Sequence, residues 1–255
     1  MTALQPFESG GYRFLQGGFP YSQGVIARPG FAIVRARFAR PLPVAAGFAA
    51  IEAHLGASGR PLVALCAAEL RSPAPFTLQG FKDFNRGYVD VLERWGLVRG
   101  GLNPVARSNV CPRFDAPAEP SFYAFSYTVP VPVPVVAPAA SGSDFVVAGS
   151  GEWPEDQPFP EGIVARGDLS ATGLAAKARY VLQTMRERCA GLLGDWAGLG
   201  AAQVYTVHDI HPLLATHFAA AGLTGIGLTW HVCAPPIREL EFEMDVRRVG
   251  HEVVV

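Results

Sequence analysis

Charge of either sign is scarce in this chain. Only 17% of its 255 residues are Asp, Glu, Lys or Arg, and 21 basic against 22 acidic side chains leave a formal net charge of −1. So balanced a chain exerts no global pull on nucleic acid or on an anionic membrane surface. The opening Met-Thr-Ala-Leu-Gln-Pro-Phe-Glu-Ser-Gly-Gly lacks a basic start followed by an apolar core, so no signal peptide is expected. Long hydrophobic runs are missing as well. The longest, Val129 to Ala140, carries Pro130, Pro132, Pro134 and Pro138 and cannot form a membrane helix of ~20 residues. Cysteine is sparse: Cys66, Cys111, Cys189 and Cys233 form no C-x-x-C pair. Reduced thiols and a cytoplasmic location are expected.

What is present is apolar and turn-rich. Hydrophobic residues make up 49%, which excludes intrinsic disorder. Gly 28 and Pro 22 imply frequent loops. The alternating prolines from 130 to 138 sit near the midpoint and favour an extended segment that a sheet interior does not accept. We read residues 131–138 as a linker between domains spanning 1–130 and 139–255.

The two halves follow the same order. The first shows strand-like Phe31–Arg37, a helix near Val44–Leu55, strand-like Leu62–Glu69, a helix near Leu78–Trp95 and strand-like Ser121–Val129. Leu62–Glu69 is apolar without alternation, as in a strand buried on both faces. Phe81, Phe84, Tyr88, Val91, Leu92 and Trp95 recur at helical spacing, with Thr77 as N-cap and Gly96 as terminator. The second half offers strand-like Phe145–Gly149, a helical stripe from Leu174 to Leu192, strand-like Ala202–Val207, a short helix Pro212–Ala221, and strands Gly227–Cys233 and Arg238–Val249. Val110-Cys111-Pro112 and Val232-Cys233-Ala234-Pro235-Pro236 lie about half the chain apart, as an internal duplication predicts. The expected fold is α+β: two tandem domains, each a mixed sheet packed on two helices. In Arg238–Val249, Leu240, Phe242, Met244 and Val246 alternate with Glu241, Glu243 and Asp245, predicting one packed and one carboxylate-bearing face. Both faces of Ser121–Val129 are largely apolar, so sheet-face association is expected, within or between chains.

Three segments of the first half carry chemistry: Pro20-Tyr21-Ser22-Gln23-Gly24-Val25, Phe84-Asn85-Arg86-Gly87-Tyr88 and Ala106-Arg107-Ser108-Asn109-Val110. The second half contributes Val147-Ala148-Gly149-Ser150-Gly151-Glu152-Trp153-Pro154, Gln203-Val204-Tyr205-Thr206-Val207 before His208-Asp209-Ile210, and Glu239-Leu240-Glu241-Phe242-Glu243. In this order they resemble the RidA family, also called YjgF, of imine and enamine deaminases, over about residues 18–130 and 141–250. The tandem form is similar to the aminomuconate deaminases of aromatic catabolism.

The resemblance implies two RidA-like domains and a homo-oligomer with a trimer favoured, the family's single-domain members forming trimers with sites in clefts between neighbouring subunits. It implies that Arg107 binds a substrate carboxylate and that Glu241 positions the attacking water, with Glu239 and Glu243 as alternatives in the same run. Tyr21, Asn85 and the Ser150–Gly151 turn complete the pocket, with Asn109 beside Arg107. Neither half holds the full set: Thr229 stands where the second half would need the arginine, Ala124 where the first would need the glutamate, and Arg35-Ala36-Arg37 where it would need the Ser-Gly turn. A composite site from a first and a second half is therefore expected, in one chain or between two.

The residue types suit that chemistry. A guanidinium pairs with a carboxylate through two parallel hydrogen bonds, and a carboxylate can take a proton from water as it attacks C=N. A 2-imino acid is already an electrophile, so no cofactor and no metal are expected. The expected reaction is hydrolytic deamination of a 2-amino-2-enoate or 2-imino acid to the 2-oxo acid and ammonia. The expected partner is a small carboxylate, with no nucleic acid and no membrane. Arg35, Arg37 and Arg40 offer either a solvated strand edge or a second carboxylate site. His208, His211 and His217 lack the fixed tetrahedral partners that zinc needs, and Cys111 has no activating neighbour in sequence. The competing readings are a non-catalytic ligand-binding protein on the same scaffold and an endoribonuclease; the charge balance argues against the latter.

Overall fold

The computed structural model describes residues 3–131, 142–154 and 156–255. All of the expected 131–138 linker except Val131 lies outside them. The chain is α+β, with two mixed sheets.

Local sequence explains the main elements. Strand β5 (Leu65–Arg71) is almost wholly buried, as its unbroken apolar run requires. Helix α2 (Leu78–Arg94) is capped by the Thr77 hydroxyl, which accepts the Gly80 N–H at 3.0 Å. Helix α3 (Ala171–Gly191) is capped by Ser170, which accepts from Gly173 at 3.2 Å. Helix α1 (Val44–Ala57) lies against β4 (Phe31–Pro43) and β7 (Ser121–Pro130); Gly47 permits the approach, because any side chain there would enter the Phe122 ring.

The strands are not divided between the sheets as the two halves would suggest. The first sheet runs β11-β6-β5-β7-β4-β13, where β6 is Ala106–Pro112, β11 is Cys233–Ala234 and β13 is His251–Val254. The second runs β1-β2-β3-β8-β12-β9-β10, where β1 is Leu4–Phe7, β2 Tyr12–Leu15, β3 Gly24–Ala27, β8 Phe145–Gly151, β9 Ala201–Tyr205, β10 Gly227–His231 and β12 Glu243–Arg248. Three N-terminal strands thus extend the C-terminal half's sheet, with Val25 opposite Val146. The C-terminal strand β13 closes the edge of the other sheet, with Glu252 opposite Arg35. Helix α3 covers β8 and β12, together with the segment containing α4 (His211–Leu213).

The sheet-face association occurs within the chain. Strand β6 lies against β8, and small residues, among them Ala67, Ala106, Ser108 and Ala148, let the sheets come close. An added Cβ at Gly149 would stand 3.0 Å from the Ser108 Cβ.

Four expectations change. Arg238–Val249 is not one strand: Glu239 takes a left-handed φ of 77°, and pairing begins only at Glu243. The carboxylate face of β12 is not solvated, since Glu243 and Asp245 are 4% and 5% exposed. Asp245 accepts hydrogen bonds from Gln203 Nε2 and Tyr205 Oη, both at 2.8 Å. Nor is Arg35 a substrate group. It forms a two-pronged pair with Glu69 at 2.6 and 2.8 Å and a further contact with Glu252 at 3.2 Å. Burial pushes the Glu69 carboxyl up, but Arg35 prevails and holds it at about 2. The 212–221 helix is a single turn followed by a π-helical turn, Leu214–Ala219.

Candidate active site

A cavity of about 450 Å³ opens between the two halves of a single chain. Tyr21, Asn85, Arg107, Asn109, Ser150 and Gly151, all named from sequence, line it together. Glu241 does not. Its place is taken by Glu243, two residues further along the same run.

Arg107 is delivered from the start of β6, as its second residue, and is 2% exposed. Its neighbours are aromatic: the guanidinium carbon lies 4.9 Å from the Tyr21 ring centre, 4.8 Å from Tyr88, 5.6 Å from Phe81 and 5.9 Å from Phe84. The rings stabilise a cation through their faces without accepting its N–H groups in the plane, and neither Nη1 nor Nη2 has a hydrogen-bond partner. Burial lowers the Arg107 pKa. Tyr21 reaches its place because the chain beside it is tied to β6: the Ser22 N–H donates to the Val105 carbonyl at 2.9 Å, and Asn103 Nδ2 donates to the Pro20 carbonyl at 2.9 Å. Asn109 accepts from the Ser72 hydroxyl at 3.0 Å, which leaves its Nδ2 unpartnered. Asn85 Oδ1, on α2, and the Tyr88 hydroxyl are also buried without partners. Burial pushes the Tyr88 hydroxyl up to about 12, so it remains a donor. Unsatisfied buried donors and acceptors of this kind cost stability in a closed core, and three of the residues that carry them, Asn85, Arg107 and Asn109, line one cavity.

The opposite wall comes from β8 and β12. Gly151 pairs with Glu243 and Ser150 with Met244. The Glu243 carboxyl packs on the backbone of Gly149, where a side chain would collide with Oε1. Burial, and after it Asp245 and Glu152, hold the Glu243 carboxyl well above the usual carboxylate range, with Arg107 and Arg188 opposing. Arg188, from α3, donates to the carbonyls of Ala148 and Gly149, both at 3.2 Å, and so fixes the end of β8.

Glu241 is bound elsewhere. Its carboxyl meets His208 Nε2 at 2.7 Å, and its carbonyl accepts from the Thr206 hydroxyl at 2.7 Å. The cause is Glu152, buried beside Gly151. Oε1 of Glu152 accepts the Glu241 N–H at 2.7 Å and Oε2 the Phe242 N–H at 3.1 Å. Lys177, fully buried, neutralises it at 3.2 Å and also donates to the Val164 carbonyl at 3.0 Å. This clamp turns Glu241 outward and sends Glu243 into the cavity. Glu239 pairs with Arg166 at the surface.

The structure adds lining residues that sequence reasoning missed, among them Phe19, Lys82, Arg86, Trp153, Ile237 and Leu240. Lys82 and Arg86 flank Asn85 at helical spacing, a signal legible in α2. Trp153 and Ile237 come from irregular segments that carry no periodic signal. No cluster of three or more His, Cys, Asp or Glu able to hold a metal exists among the described residues, so His208, His211 and His217 do not form one. The thiol of Cys111 is buried and pushed up to about 12 by desolvation, and it lies outside the cavity lining. No helix is long and apolar enough to cross a membrane among the described residues.

Comparison with known proteins agrees with this architecture. The chorismatase crystal structure determined at 1.08 Å superposes with a TM-score of 0.53 at 12% identity, covering 97% of this chain and 86% of that one; it shares the fold. The YjgF gene product of E. coli matches 43% of this chain and 83% of its own at 16% identity, with a TM-score of 0.33. A 2-amino-5-chloromuconate deaminase from Comamonas testosteroni is 46% identical over 250 residues, 98% of both chains. The family described as 2-aminomuconate deaminase CnbZ matches residues 4–253. The chain therefore belongs to the 2-aminomuconate deaminase CnbZ family.

Proposed function

We propose that the chain is a cofactor-independent deaminase that hydrolyses an unsaturated 2-amino dicarboxylate of the 2-aminomuconate type, releasing ammonia and leaving the 2-oxo acid or its 2-hydroxy tautomer. One observation carries the reading: a buried guanidinium with two unpartnered nitrogens faces the same cavity as a buried, proton-retaining carboxyl.

In this mechanism the carboxylate next to the reacting carbon binds Arg107, two oxygens on two terminal nitrogens. Asn109 Nδ2 donates to the same end of the substrate and Asn85 Oδ1 accepts from its amino group. Glu243 enters protonated and gives that proton to the enamine, producing the electrophilic C=N tautomer with its positive charge on nitrogen. The Glu243 carboxylate then takes a proton from water as the water oxygen bonds to C2 and the C=N π electrons return to nitrogen. A second transfer through Glu243 moves the hydroxyl proton of the resulting carbinolamine to nitrogen. The C–N bond breaks, ammonia leaves and the C2 carbonyl forms. Water is consumed and Glu243 ends as it began. The Ser150–Gly151 backbone faces the oxygen that develops on C2.

The test is ammonia release from freshly generated 2-aminomuconate. Wild type should release one ammonia per substrate, and Glu243→Gln should lose at least 100-fold in kcat while still binding trans,trans-muconate. Absence of turnover by wild type, with muconate bound equally by both proteins, would favour the non-catalytic binding reading.

A further inference from the structure

The expected second carboxylate group does not lie among Arg35, Arg37 and Arg40, because Arg35 is consumed by Glu69 and Glu252 and none of the three lines the cavity. Two other cations do line it. Lys82 and Arg86 stand on α2, on either side of Asn85, with Leu78 and Phe81 on the same helical face. They are not equivalent. Arg86 is exposed and already paired with Asp83 at 3.0 Å. Lys82 is solvent-accessible and has no ion-pair partner among the described residues.

The cavity is therefore charged at two levels. At its buried end Arg107 has its terminal nitrogens free; at its rim Lys82 carries a mobile ammonium on a four-carbon stem. Lys82 sits three residues before Asn85, about 4.5 Å along the helix axis, so the ammonium can meet the far end of a rod-shaped ligand whose near end lies at Arg107. Much of the remaining lining is apolar, with Phe19, Phe81, Trp153, Ile237 and Leu240 contributing. A flat conjugated chain would lie between such walls, and nothing polar along its middle would need a partner.

We infer that Lys82 binds the distal carboxylate of the substrate and selects dicarboxylates over monocarboxylates. This assignment rests on the deaminase reading above for the near end of the ligand. It differs from that reading in naming the residue that recognises the second charge. Because Lys82 is exposed, the interaction is screened. Its contribution is that of a solvent-facing ion pair, a factor of about two to five in affinity.

Two stable probes isolate the effect: trans,trans-muconate and sorbate, which share the conjugated chain and differ in having a carboxylate or a methyl at the far end. Dissociation constants are measured by calorimetry for wild type, Lys82→Met and Arg86→Met, alongside ammonia release from 2-aminomuconate. Wild type should prefer muconate about two- to fivefold. Lys82→Met should bring that ratio close to one by weakening muconate alone, and Arg86→Met should retain it. An unchanged ratio in Lys82→Met, equal weakening of both probes, or loss of the ratio in Arg86→Met instead would overturn the assignment while wild-type turnover leaves the deaminase reading standing. Failure of wild type to bind either probe or release ammonia would bring down both.

Discussion

Arg107 and Glu243 face one cavity from different sheets, the first from β6 and the second from β12, each almost wholly buried and each coupled electrostatically to the other. The first half of the chain supplies the cation and the second the carboxyl, so the two stand in one cavity only where the two sheets meet.

Arg107 is costly while the cavity holds no anion, because its charge is desolvated and its terminal nitrogens lack partners. Replacing it by Met should raise the melting temperature of the free protein, by an amount equivalent to about 1–3 kcal/mol, while lowering kcat/KM at least 100-fold. Arg107→Lys should recover little of the activity, since an ammonium lacks the paired geometry. A melting curve and one kinetic series per variant decide it; a destabilised, still active Arg107→Met contradicts the role.

The two glutamates should separate cleanly. Glu241→Gln, remote from the cavity, should keep turnover within about threefold and lose about 1 kcal/mol through its His208 contact. The proposed mechanism needs Glu243 protonated when the enamine arrives. Its pKa is raised in the fold, so the rate should fall as pH rises through that raised value, and this alkaline limb should be absent from the residual activity of Glu243→Gln. A pH–rate profile with the same limb in both proteins would assign it to another group.

Gly149 permits the approach of the sheets. An alanine there would strike the Glu243 carboxyl and crowd Ser108. Gly149→Ala should lower stability by about 1–3 kcal/mol and reduce kcat more than it raises KM, because it displaces the acid rather than the anchor. Equal effects on both parameters would point to general loosening.

The clamp that aims β12 is the buried Glu152–Lys177 pair. Lys177→Met leaves Glu152 uncompensated in the interior and should cost about 3–5 kcal/mol. Denaturant unfolding measures the loss; one below 1 kcal/mol would mean that the backbone N–H groups of Glu241 and Phe242 suffice.

His231 gives a pH signature independent of the active site. Burial, followed by Arg71, pushes its pKa from 6.5 down to about 4. The folded state therefore binds fewer protons than the unfolded chain between these values. Stability should fall as pH drops from about 6.5 to 4, by about 2–3 kcal/mol, and this component should flatten below 4. In His231→Asn the slope in that window should be correspondingly shallower.

Much of the fold was written locally. Thr77, the aromatic stripe of α2 and the apolar run of β5 each act within one element, and each is visible to a periodicity argument. Strands β1 to β3 and β13 were not, because they are short, bounded by Gly and Pro, and owe their existence to partners far along the chain: Val25 to Val146, Glu252 to Arg35. The site was legible to the same degree. Arg107, Tyr21, Asn85, Asn109, Ser150 and Gly151 line one cavity, the last two from the end of β8 rather than from a turn. Glu241 and Glu243 share one alternating face, so a period of two cannot choose between them. The choice is made by Glu152, whose carboxyl captures two backbone N–H groups almost ninety residues away.

The exchange of terminal strands bears on how such a chain can change over time. Each half completes the other's sheet, so cutting between them would expose open edges on both, and neither piece could drift back to independent life. With Arg107 on one side of the cavity and Glu243 on the other, neither half alone would keep both walls of that pocket.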